Sequence, residues 1–282
     1  EACTVVIAGG RLFVFDAGEG AGRTLSLMGM PLGKVEGVWL THMHSDHFNG
    51  LGNLALQRWA GTSAATPLPV FGPEGVMDIT EGLTRAYKAD STYRIAHHGA
   101  DILPPSGCSF AGKAVAPGMV YDVNGVQITA FAVDHAPVAP AYGYRLDWSG
   151  RSVTITGDTK PTPALAAAAK GSDLLVSELL SPRMVKILED TARRTGQANR
   201  AKIMADIQDY HIAPEAAADA ARAAGVKLLA FTHVVPATPR FMDSAVMGDA
   251  RGHFEGPVWI MRDGDLISIS AEGKPKRENL LR

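Results

Sequence analysis

Cysteine is nearly absent: the 282 residues contain two, Cys3 and Cys108. That is neither a disulfide framework nor a CxxC zinc knuckle. Both read as small buried residues, with one bridge between them left open. Long apolar runs are missing as well. No stretch approaches the roughly 18–20 residues of a membrane span, so no membrane partner is expected. Charge of one sign is lacking too, since 27 Lys and Arg stand against 29 Asp and Glu, a net −2. A dedicated nucleic-acid binder usually carries a basic surplus, so this balance argues against a nucleic-acid partner and for a small-molecule one. With no repeat and no low-complexity linker, residues 1–282 are expected to form a single domain. No charged n-region or apolar h-region precedes the opening EACTVVIAGG, which leaves cytoplasm and periplasm both open.

What is present alternates between strand and helix signals. TVVIA and RLFVFDAG read as a hairpin pair. VEGVWLT, PLPVFG, VQITAFAVDH, YGYRLDW, RSVTITGD, DLLVSE and KLLAFTH read as further strands. HFNGLGNLALQRWA has helical spacing, with Ser45 or Asp46 placed to cap it. PEGVMDITEGLTRAYKAD, PTPALAAAAKG, SPRMVKILEDTARRTG, ANRAKIMADIQDY and PEAAADAARAAG are helical too. The tail VWIMRDGDLISIS reads as a hairpin around Asp-Gly. This order predicts an α/β chain of two mixed sheets packed face to face with helices outside, a four-layer αββα sandwich.

The stretch THMHSDHFNG, Thr41 to Gly50, puts three histidines and an aspartate into six residues directly behind the apolar GVWL. Histidine and aspartate are poor strand residues and weak helix formers, so packing gives little reason to cluster them. Metal binding does. His42, His44, Asp46 and His47 are four candidate ligands. A hydrolytic pair of zinc ions takes roughly three protein ligands each around a shared water, so more ligands are required, best held at strand ends. His135 after ITAFAVD, Asp158 after SVTITG and His233 after LLAFT have that setting. The intervals are long (135−47 = 88, 158−135 = 23, 233−158 = 75), so only the fold can gather them.

These residues together resemble the metallo-β-lactamase superfamily: Asp16 in FDAGEG, THMHSDH, His135, GDT at 157–159 and THVVP at 232–236. Within it the chain looks most like the ribonuclease Z and arylsulfatase-like branch, on HAPVAPAYGYRL, ITGDT and DYHIAPEAAADAARAAGVKLLAFTH. The resemblance implies an αββα sandwich, a homodimer and two zinc ions. His42, His44 and His135 would hold one ion; Asp46, His47 and His233 the other; Asp158 would bridge them. Three departures stand out. Asp158 occupies a position where β-lactamases commonly place cysteine or serine, which speaks against a β-lactam substrate. The interval of 23 from His135 to Asp158 leaves no room for the tRNA-gripping arm of bacterial ribonuclease Z. His211 is followed by Ile212-Ala213 where the branch usually has Ser-Thr. The first strand of the fold is expected to lie outside this chain.

The expected chemistry is hydrolysis of a small ester, a phosphodiester first, with sulfate esters, lactones and lactams open to the same metal-activated hydroxide. A scaffold without turnover would be expected to have lost ligands, and all are present. Asp46 is expected to ligate and to orient the nucleophile. His211 is expected to protonate the leaving group with Glu178 behind it. Asp16 should fix the loop behind the metals rather than bind one. His97, His98 and Tyr142 are candidates for the substrate pocket, Tyr142 and Tyr144 being placed so that one of them faces inward. Manganese or iron would also suit these nitrogen and oxygen donors.

Overall fold

A computed structural model of the chain describes residues 1–270 and 274–281. The chain forms two compact units, Glu1–Ala116 with two tail segments, and Pro117–Arg262 with Ile269–Pro275.

In the first unit, β1 (Thr4–Ala8) and β2 (Arg11–Phe15) form the expected antiparallel hairpin. Then come α1 (Ala21–Leu27), β3 (Val35–Trp39), α2 (Leu51–Thr62), β4 (Leu68–Gly72), α3 (Val76–Ala86), α4 (Lys88–His98) and β5 (Phe110–Ala114). The sheet runs β1-β2-β3-β4-β5, parallel from β2 onward. Alternation along RLFVF explains its two faces. Leu12 and Val14 pack with Val38, Val70, Leu25 and Leu54 in a core shared by strands and helices. Phe13 and Phe15 turn the other way and meet the indole of Trp39, which stacks on Phe71 at 4.9 Å.

The second unit holds β6 (Gly118–Val123), β7 (Val126–Ala132), β8 (Tyr142–Trp148), β9 (Arg151–Ile155), α5 (Pro163–Ala168) and β10 (Leu174–Leu180). It continues through α6 (Pro182–Arg194), α7 (Ala198–Asp206), α8 (Pro214–Ala224), β11 (Leu229–Val235), α9 (Asp243–Met247), α10 (Ala250–His253) and β12 (Val258–Ile260). Its sheet runs β12-β11-β10-β9-β8-β7-β6, antiparallel from β6 to β9 and parallel from β9 to β12. All seven residues of β10 are buried, as a central strand covered on both faces requires. Ala217, Ala218, Ala221 and Ala224 line one side of α8, where small side chains let the helix lie close to Leu175, Leu229 and Phe231. Two mixed sheets with helices are therefore what the patterning led one to expect.

Three local expectations fail, and one hairpin goes unread. The helix behind the histidine cluster starts at Leu51 with Gly50 as an uncapped entry, because Ser45–His47 is spent in a separate single turn. The helix read from PEGVMDITEGLTRAYKAD breaks at Tyr87, and a second helix runs on through His98. The tail is no hairpin: β12 pairs with β11, while β13 (Asp265–Ser268) pairs with β14 (Lys276–Asn279) in the first unit. Asp263-Gly264 is a turn, but it joins strands of different sheets. The hairpin of β6 and β7 was not read at all, although Asn124-Gly125, both at positive φ, carried its signal. Cys3 and Cys108 are free thiols.

Candidate metal centre

Each unit holds a set of donors. In the first, the chain leaves β3 at Trp39, and Thr41 to His47 wrap around the carboxylate of Asp16. Asp16 sits at the end of β2 at φ 57, a left-handed conformation that aspartate tolerates better than most side chains. Its two oxygens accept from the Thr41 amide at 2.8 Å, the Thr41 hydroxyl at 2.9 Å and His47 Nδ1 at 2.8 Å. This fixes the Nδ1–H tautomer of His47 and makes Nε2 the lone-pair donor. His42 is likewise set from behind, with Nδ1 3.1 Å from the Thr41 hydroxyl. Its Nε2 stands 3.0 Å from His44 Nδ1, so two imidazole nitrogens converge. His42 and His47 are buried, whereas the Asp46 side chain is 41% exposed.

Two glycines allow this packing. A Cβ on Gly50 would lie 2.0 Å from the Gly18 carbonyl oxygen, and one on Gly18 would lie 2.3 Å from the Asp46 carbonyl. The FDAGEG loop and the histidine loop thus touch backbone to backbone, tied by Ala17 N to His47 O and Gly50 N to Ala17 O.

In the second unit the donors come from far apart in sequence. His135 stands three residues beyond β7, and its Nδ1 donates to the Tyr210 carbonyl at 2.9 Å, which presents Nε2. Asp158 follows β9 and is buried. Its Oδ2 lies 4.0 Å from His135 Nε2, 3.9 Å from His233 Nε2 and 3.8 Å from His211 Nδ1. These separations exceed hydrogen bonds. They fall within the at most about 4.2 Å that two nitrogen or oxygen ligands of one zinc can span.

His233 lies inside β11, not at its end, at φ 44. The register explains it. Ser177 faces Phe231 and Leu179 faces Val234, so one residue of β10, Glu178, opposes two of β11, Thr232 and His233. This bulge re-aims both side chains. Glu178 Oε2 accepts from His211 Nδ1 at 2.8 Å, and Oε1 accepts from the amides of Thr159 at 2.9 Å and Ile212 at 3.3 Å. Burial, then the charge of Asp158, pushes the Glu178 carboxyl well above its ordinary value. Asp158, Glu178 and His211 bring one donor atom each within 4.8 Å. Within this trio His211 Nδ1 and Glu178 Oε2 are already engaged with each other.

The donor chemistry fits metal ions: imidazoles whose far nitrogens are held by Asp16, Thr41 and a carbonyl, and a buried aspartate among three histidines. Sequence reasoning missed two of these supports. The Thr41 hydroxyl was visible at the head of THMHSDH. The Tyr210 carbonyl had no signal, being backbone. His97 and His98 stand exposed on the last turn of α4, edge to face at 4.7 Å, and enter no donor group among the described residues. Tyr142 opens β8 opposite Ala132 and is buried with Tyr144. Residues two apart in a strand share a face, so both point the same way.

A family described as a beta-lactamase superfamily domain matches residues 11–234. The ribonuclease Z of Mycobacterium avium is 34% identical over 270 residues, 95% of this chain and 91% of that one. The metallo-beta-lactamase fold protein YhfI from Bacillus subtilis superposes with a TM-score of 0.64 at 19% identity, covering 98% of this chain and 92% of that one. Human tRNase Z, short form, gives 0.59 at 20% identity, covering 93% and 90%. The fold is thus the metallo-β-lactamase fold.

The relatives overturn the expectation of a small-molecule ester partner and no nucleic acid. The Mycobacterium avium ribonuclease Z is matched over 91% of its length, so the missing arm does not set this chain apart from it. The net charge misled because it sums the whole surface, while a phosphodiester is gripped locally.

Proposed function

The chain belongs to the metallo-β-lactamase superfamily, and from that premise we propose that it is a ribonuclease, cutting RNA phosphodiester bonds at a dinuclear zinc centre. It is a metal-dependent hydrolase, as its family and its ribonuclease Z relatives are. The observation that carries the RNA substrate is the 34% identity to a ribonuclease Z across 95% of this chain.

In this reading residues 1–282 work as one hydrolase domain. Following the family's motifs, His42, His44 and His135 would hold one ion and Asp46, His47 and His233 the other, with Asp158 as a ligand shared by the two. When bound, the ions supply an acidified water at neutral pH and stabilise charge gathering on the phosphate. Asp46, open on one side, accepts a hydrogen bond from the attacking water and orients it. His211 delivers a proton to the departing ribose oxygen, and Glu178 at 2.8 Å steadies the imidazolium before transfer.

The test is cleavage of a hairpin RNA with a single-stranded 3′ extension, with and without chelator, beside Asp158→Ala and a count of metals per chain. Chelator-sensitive cleavage lost in the variant, with two zinc ions bound, supports the reading. Chelator-sensitive turnover of small esters with RNA left intact would overturn it.

A further inference from the structure

His135 and Asp158 follow strands that are not neighbours. In the sheet of the second unit β8 lies between β7 and β9. The lanes that lead to the two residues are therefore two strand spacings apart, roughly 9.5 Å. β8 pairs with both through its first residues: Tyr142 faces Ala132 of β7, and Tyr144 faces Ile155 of β9. Beyond Tyr142 the chain of β8 continues only to Ala141, whose carbonyl accepts from the Val133 amide at 3.0 Å. Past that point the two outer chains bend toward each other, and the facing atoms of His135 and Asp158 come to 4.0 Å.

A double link closes this gap. The Lys160 amide donates to the Asp134 carbonyl at 2.7 Å, and the Lys160 ammonium stands 3.1 Å from Asp134 Oδ2. The other carboxylate oxygen accepts from the Ala136 amide at 3.2 Å, which fixes the Asp134 side chain on its own loop. Asp134 directly precedes His135, and Lys160 stands two residues past Asp158. Fold stability alone gives the ion pair little purpose: its side chains are 35% and 45% exposed, and pairs so exposed add little to a fold. Metal binding gives it one, since ligands must be held to within about 0.5 Å of their working geometry by the groups around them. We propose that Lys160 and Asp134 are positioning residues, a clasp that sets the separation of His135 from Asp158 and so strengthens binding of the ion they share. This rests on the reading of His135 and Asp158 as ligands given above.

A clasp and simple electrostatics predict opposite signs for one variant. Lys160→Met keeps the amide and the length of the side chain but removes the charge. Losing a cation beside a metal site lifts a repulsion and should tighten zinc binding; losing a clasp should weaken it. Zinc affinity is read by competition with a chromophoric chelator, with no substrate present. For Lys160→Met one of the two binding steps is expected to weaken ~10-fold, the lower end for a group that supports a ligand. Lys160→Arg keeps a cation for Asp134 and should stay near the wild type. Asp134→Asn should lose the same factor, and the double variant Lys160→Met/Asp134→Asn no more than either single. The thermal midpoint of the metal-free protein should not move. Unchanged or tighter zinc binding in Lys160→Met would overturn the clasp, as would a double variant restored to wild type, the mark of cancelling charges. A midpoint that falls together with affinity would overturn it too, by making the pair a support of the fold. Wild type that binds no zinc would instead remove the metal reading itself, and the clasp with it.

Discussion

The two donor sets solve one problem in opposite ways. In the first unit, four candidate donors lie in six consecutive residues, and a single carboxylate, Asp16, braces the loop that carries them. In the second, His135, Asp158 and His233 are spaced 23 and 75 residues apart, and strand register brings them to one oxygen. The first set is a local motif with a brace. The second is a property of a sheet. Damage should therefore spread differently: through the loop in one case, through β-pairing in the other.

The sharpest way to break the comparison is to remove the one group of the second set that three histidines face. Asp158→Ala is expected to lower kcat/KM on RNA by ~10³ or more and to release metal, read by elemental analysis beside kinetics. Deleting Thr232 is next. It would remove the extra residue opposite Glu178 and swing His233 to the other face of the sheet, with activity lost while the fold persists by circular dichroism. Glu178→Gln should cost ~10² in kcat, and the alkaline limb of the pH–rate profile should move, since His211 loses its carboxylate. An unchanged profile would leave His211 outside the chemistry.

The loop side is tested by smaller changes. Asp16→Asn should weaken metal binding ~10–100-fold, because one oxygen is lost as acceptor for His47 or Thr41. If it does no harm, the brace is idle. The mildest test concerns thiols. Cys3 as a residue is half-buried, but enclosure of its thiol, then the charge of Asp16, pushes it from 9.0 up to about 12. At pH 8 a thiol reagent should label Cys108 quickly and Cys3 only on unfolding. The sign is that of a raised acid. The neutral thiol's contribution to stability is whole below pH 9.0 and is lost as pH climbs toward about 12.

The contrast also explains what could be read from the sequence. His42 to His47 were legible because a local cluster violates strand and helix preference in plain view. His135 and Asp158 were legible as polar residues ending apolar runs. The bulge at Glu178 was not, because register is a relation between β10 and β11 and neither strand alone contains it. His233 was therefore placed at a strand end when it lies within the strand. The expectation of a small-molecule partner failed against the ribonuclease Z relatives for a related reason: charge was summed along the chain, and recognition is decided at particular places on a surface. The uncapped start of α2 was lost because Ser45 and Asp46 looked like caps while serving the turn of the histidine loop.

Gly18 and Gly50 leave their two loops in contact with no side chain between them. One methyl at either position would act as a wedge, driving Asp16 away from the residues it holds. A mutational scan would then score two residues without a functional group among the least replaceable in the protein. An engineer wishing to retune the metals could use them as a screw thread, advancing one loop against the other by fractions of an ångström without touching a ligand.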